Sequence, residues 1–156
     1  MEGSLKRLNT DYIDLYFQAR IDPKTEPEEV AETMQELMEG GKILHWGVSE
    51  IDEDYLRRAN AVCPVTAVEN KYNIISRDHE RLKRCQPLLD YLAVLGKEKG
   101  ATPAQLSLAW VLHRKPYIVL IPGMRSAERQ RENAEAAEIT LTDGEMAKID
   151  TLSINT

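Results

Sequence analysis

Four short apolar runs, at 12–18, 43–48, 65–69 and 118–121, set the rhythm of this chain. Each is rich in β-branched, aromatic or aliphatic residues, as strands covered on both faces should be. Amphipathic stretches separate them, and that alternation predicts βα units and a parallel sheet. The intervening helices carry clear punctuation. Thr25 with Pro27 and Glu28 opens one through Val30, Met34, Leu37 and Met38, and Gly40-Gly41 closes it. Asp52 caps a second at 53–61. Thr102-Pro103-Ala104-Gln105 is a capping box with proline at the first helical position, turning Leu106, Ala109, Trp110 and Leu112 inward. Thr142 with Glu145 opens a last helix through Met146, Ile149 and Leu152.

The stretch 78–100 breaks the rhythm. It reads as one helix through Leu82, Leu88, Leu89, Leu92 and Leu95, and Pro87 either kinks it or marks its start. Two helices then precede the last run, where a βα barrel places one. No repeat or linker interrupts the chain, so 1–156 is expected to form a single domain.

Composition narrows the function classes. The 156 residues are 42% hydrophobic and 29% charged, ordinary for a globular protein with a proper core. A net charge of -6 argues against general binding to nucleic acid or to anionic membranes. No apolar run approaches the roughly 20 residues that span a bilayer. The N-terminal residues lack the apolar core of a secretory signal, so a cytoplasmic protein is expected. Cys63 and Cys85 stand apart and read as reduced thiols. His45, His79 and His113 have no metal-ligand spacing and read as structural or solvated.

Several segments taken together resemble the aldo-keto reductase family. Ser4-Leu5-Lys6-Arg7-Leu8 followed by Thr10-Asp11-Tyr12-Ile13-Asp14-Leu15-Tyr16 resembles its approach to barrel strand four. Glu39-Gly40-Gly41-Lys42-Ile43 into Trp46-Gly47-Val48-Ser49-Glu50 resembles strand five, and Val68-Glu69-Asn70-Lys71-Tyr72-Asn73 resembles strand six. The Thr102–Leu112 stretch, then Ile121-Pro122-Gly123 with Arg129, Glu132 and Asn133, resembles the eighth-strand region. The family fold is a (βα)8 barrel of about 250 residues. The resemblance therefore implies a half-barrel of four parallel strands, without the first three βα units. The seventh strand is also missing, because Arg77-Asp78 leads on to the helical segment at 86–92 that follows it in the family.

The resemblance also implies a lost reaction. The family passes a hydride from NADPH to a carbonyl while a tyrosine, tuned by a lysine and an aspartate, donates a proton. Those three residues belong to the absent units, and the histidine that orients the substrate is Ala19 here. General acid catalysis is worth about a hundred- to ten-thousand-fold, so the chain alone is expected to be inactive. What the resemblance leaves is NADP binding, weak or vestigial. Gly123, Met124 and Arg125 lead into a helix beginning near Ser126, whose N–H groups, dipole and nearby arginines suit a phosphate. In the family pattern Arg129 meets the adenosine 2′-phosphate or stacks on the adenine, and Glu132 and Asn133 hold the adenine edge. Ser49 matches a residue that holds the nicotinamide carboxamide. Glu69 replaces a glutamine, and Glu50 stands where asparagine is common.

Three readings follow: an inactive piece of an NADP-dependent oxidoreductase, a half-barrel pseudoenzyme acting through assembly or partner binding, or one component of a complemented enzyme. Exposed sheet edges predict a homodimer.

Overall fold

Three of the four apolar runs become strands of one parallel sheet, β1 (Ile13–Gln18), β2 (Ile43–Ser49) and β3 (Ala67–Glu69), side by side in chain order. The computed structural model describes residues 1–72 and 85–154. It divides into two compact units, Met1–Lys71 and Tyr72–Thr156, each with its own core.

In the first unit the register sets Leu15 beside His45, Phe17 beside Gly47, Gly47 beside Ala67 and Ser49 beside Glu69. Parallel neighbours need a crossover. Helix α2 (Pro27–Glu39) supplies it between β1 and β2, and α3 (Glu53–Val62) between β2 and β3. Their inner residues Ala31, Met34, Tyr55 and Ala59 close over Trp46 and Val48, neither of which reaches solvent. Gly47 allows the strands to meet there: a Cβ on it would lie 2.5 Å from the Phe17 ring and 2.9 Å from the Ala67 carbonyl oxygen.

The helix termini show where local chemistry decided. Asp52 caps α3 by accepting from the Tyr55 N–H at 2.8 Å. The expected box at Thr25 does not form. Residue Glu26 takes the cap position without a side-chain bond, and Pro27, which has no N–H to satisfy, begins the helix. The Glu26 and Glu28 carboxylates instead hold Arg58 of α3. Gly41, at φ +67, ends the turn after α2 in a conformation that L side chains rarely adopt. A short helix ahead of the sheet, α1 (Glu2–Leu8), lacks a sequence signal and buries only Leu5.

The second unit is helical. Helix α4 (Gln86–Lys99) carries Pro87 in its first turn, so the proline starts this helix rather than kinking it. The proposed extension back to 78, and the junction at Arg77-Asp78, lie outside the described residues. Helix α5 (Pro103–Leu112) opens with the full Thr102/Gln105 box. Helix α6 (Ala127–Glu135) runs into a 3-10 turn at Ala136–Glu138. Helix α7 (Asp143–Ile154) starts from Thr142, whose hydroxyl and N–H exchange hydrogen bonds with Glu145. Leu88, Leu92, Leu95, Leu106, Ala109, Trp110 and Ile149 form the core.

The fourth expected strand, 118–121, does not form. Ile118 and Leu120 pack on the helical core while Val119 and Ile121 stand in solvent, which is strand-like alternation. A strand also needs a neighbour for its N–H and C=O groups, and among the described residues none pairs with this run.

Candidate functional site

The sequence-selected residues fall into two groups, one per unit. At the C-terminal ends of the strands, Ser49 and Glu69 are register neighbours, and Ala19 follows β1 as an exposed methyl. Parallel strands keep such ends free for ligands. Glu50, next after Ser49, has φ 56, a left-handed conformation uncommon in residues other than glycine, asparagine and aspartate. A small clasp holds it there. The Glu50 N–H donates to the Glu69 carbonyl at 2.9 Å, and its carboxylate accepts the Lys71 N–H at 2.7 Å and pairs with the Lys71 ammonium at 2.9 Å. The Asn70 side chain bridges to Ile51 on the adjoining turn. Hydrogen bonding from the Lys71 side chain, then from its backbone, keeps the Glu50 carboxyl below its ordinary pKa. The Glu50 carboxylate is therefore charged throughout the neutral range.

The second group surrounds the start of α6. Gly123, Met124 and Arg125 lie exposed in the loop before it. Ser126 caps the helix by accepting from the Arg129 N–H at 3.2 Å. One turn on, the Arg129 guanidinium donates to the Glu132 carboxylate, whose other oxygen accepts the Thr102 hydroxyl at 2.8 Å. Gln105 lies beneath, only 7% exposed. Its amide oxygen takes the Thr102 N–H, and its amide nitrogen reaches the Glu132 carbonyl and the Glu135 carboxylate. Arg129 is thus pinned by Glu132, and Glu132 by the opening turn of α5. Beside them, the Asn133 side-chain nitrogen is shut off from solvent with no hydrogen-bond partner among the described residues. A buried donor left unpaired costs about 1–3 kcal/mol.

Thr102 and Gln105 were legible only as a cap; their second task, anchoring Glu132, depends on two helices packing together. The Glu50–Lys71 clasp had no sequence signal, since left-handed glutamate is unusual. His113 proves to be a packing residue, with Nδ1 2.8 Å from the Ala109 carbonyl oxygen and Nε2 accepting the Leu141 N–H at 3.4 Å. Among the described residues no cluster of histidine, cysteine or carboxylate side chains is placed to hold a metal. No described helix is long and apolar enough to cross a membrane.

Comparison with known proteins gives the family. The sequence profile described as "Aldo/keto reductase family" matches the chain in two pieces, residues 1–86 and 77–154. "Aldo-keto reductase str7" of Strobilurus tenacellus is 32% identical, with 94% of this chain and 59% of that protein aligned. A solved thermostable aldo-keto reductase, Tm1743 with the inhibitor epalrestat, superposes with a TM-score of 0.81 at 36% identity, over 97% of this chain and 64% of its own. An aldo-keto reductase from Klebsiella pneumoniae, solved with NADPH, gives 0.77 at 30% identity, over 99% and 63%. The chain thus spans less than two thirds of each relative. The str7 alignment extends over 199 positions against a chain of 156, so at least the difference, 43, has no counterpart inside the matched stretch.

Proposed function

The chain belongs to the aldo/keto reductase family, and on that premise we propose that this polypeptide by itself is not a working reductase but a nucleotide-binding remnant of one. The observation that carries this reading is Ala19: at the end of β1, where the family orients the carbonyl with histidine, a methyl group can neither donate nor accept a proton. The two-piece family match supports it, since the pieces meet at 77–86, where the sequence passes directly from the sixth-strand segment to the helices before the eighth.

The groups around α6 suit the adenosine-phosphate half of NADP(H). Arg125 and Arg129 supply positive charge beside a helix N-terminus. Pinned by Glu132, which Thr102 holds in turn, Arg129 loses little side-chain freedom on binding. The bound dinucleotide would bring the transferable hydride; this chain's residues bind and orient it. The nicotinamide end is poorer. Ser49 still offers a hydroxyl, but Glu69 accepts hydrogen bonds and cannot donate to a carboxamide oxygen.

Two measurements test the reading. Stopped assays with 4-nitrobenzaldehyde and NADPH are expected to show no oxidation proportional to protein, and Ala19→His alone does not restore it. Titration calorimetry is expected to show weak binding that prefers NADP over NAD, falls on Arg129→Ala and weakens with salt. Protein-dependent turnover would overturn the first half; equal affinity for NAD, or no heat at millimolar NADP, the second.

A further inference from the structure

We propose that the Tyr117–Ile121 run is a strand donor that pairs with the free edge of β1 in a second copy of this chain. The run carries its own argument. Tyr117, Val119 and Ile121 are 78%, 84% and 78% exposed, and Met124 just beyond is 44% exposed. Alternate residues Ile118 and Leu120 are already fixed on the helical core. Residues 119–125 make no hydrogen bond among the described residues, so their N–H and C=O groups are free to form a ladder. Five consecutive strand-forming residues without charge or proline are an adhesive edge, which natural proteins usually blunt or cover.

The acceptor follows from length and charge. Among the described residues β1 pairs only with β2, which leaves a six-residue edge with Tyr12 and Leu15 partly bare. The other free edge, β3, has only three residues. Asp11 and Asp14 mark the β1 edge, while Lys115 and Arg125 flank the donor run. None of these four forms an ion pair among the described residues. Either surface paired with itself would bring like charges together, whereas donor against β1 opposes them. Parallel pairing with Ile13 beside Tyr117 sets Asp11 beside Lys115 and brings Asp22 within one residue of Arg125. Each copy offers one donor and one acceptor, so two copies can exchange them reciprocally and close a two-fold pair. Apolar patches of a few hundred Å2 on each side, doubled over two seams, reach the roughly 1,000 Å2 that a specific interface requires.

The test is analytical ultracentrifugation of the whole chain at tens of micromolar, beside circular-dichroism melts. Wild type is expected to sediment as a dimer. Val119→Asp, at a position already exposed, is expected to be a monomer that melts with wild type diluted until it too is monomeric. Asp11→Lys is expected to weaken the dimer several-fold, and adding Lys115→Asp to restore it. Three results would overturn the proposal: a folded wild-type monomer, a dimer untouched by Val119→Asp, or a Val119→Asp monomer that melts below monomeric wild type, which would mean that the run pairs within its own chain. None of these readouts involves NADP, so they stand apart from the nucleotide-binding reading.

Discussion

Val48 and Val119 are the same residue in two similar apolar runs, yet one is wholly buried and the other 84% exposed. The two units differ in the same way. In Met1–Lys71 the β-prone runs find one another, and the helices between them roof the sheet over Trp46 and Val48. In Tyr72–Thr156 the core is made by leucines and Trp110 of the helices, and the β-prone run at 118–121 lies along it with no strand neighbour among the described residues. A helix satisfies its own backbone, so a helical unit completes itself. A strand depends on what lies beside it, so the same composition without a neighbour stays bare.

The largest expected effect separates the two cores. Trp46→Ala removes a fully buried indole and should cost about 3–5 kcal/mol, enough to unfold the small first unit. Amide exchange resolved along the chain should then show protection lost in β1–β3 while α4, α5 and α7 keep theirs; equal loss in both units would show that their cores are not separate. A Gly47→Ala change acts at the same sheet through the clash with Phe17 and the Ala67 carbonyl, at about 1–3 kcal/mol.

An intermediate effect belongs to the helical unit. Asp150 of α7 accepts the Trp110 indole N–H at 2.8 Å and pairs with Arg114, whose guanidinium lies 3.9 Å over the Trp110 ring, while Tyr72 stacks on that ring at 5.5 Å. The Arg114 guanidinium lowers the Asp150 pKa against the opposing effect of burial, and the indole N–H adds to the lowering. Because the folded pKa is depressed, the stabilisation is fully present above the ordinary carboxylate value and is lost as pH falls through the lower folded one. Asp150→Asn should cost about 1–3 kcal/mol at neutral pH and flatten the acid limb of the tryptophan-fluorescence melt. An acid limb identical to wild type would remove Asp150 from the account.

The smallest effect lies at Glu50. Its ion pair with Lys71 is exposed and contributes little, while asparagine tolerates the left-handed backbone better. Glu50→Asn should therefore leave the thermal melt indistinguishable from that of wild type. A loss well beyond that would show that the clasp, rather than the backbone turn, holds the ends of β2 and β3 together.

Much of the architecture was legible in the sequence because it rests on short-range rules. The boxes at Thr102 and Thr142, the Asp52 cap, the Gly40-Gly41 stop and the strands at 43–48 and 65–69 depend on residues a few positions apart. The residues that mark the family, from Trp46-Gly47-Val48-Ser49 to Arg129, Glu132 and Asn133, were equally readable, as was alanine at position 19. Tertiary structure decided the rest. It put the cap of α2 on Glu26 because Arg58 of another helix claims the glutamates there. It tied Glu132 to Thr102 through the packing of α5 against α6, and left the Asn133 amide nitrogen without a partner among the described residues. It turned Glu50 left-handed and clasped it to Lys71. The run at 118–121 shows the division most clearly: its β-propensity was written in five consecutive side chains, but hydrogen bonding to a neighbouring strand is a property of two segments, and no local sequence can specify the second.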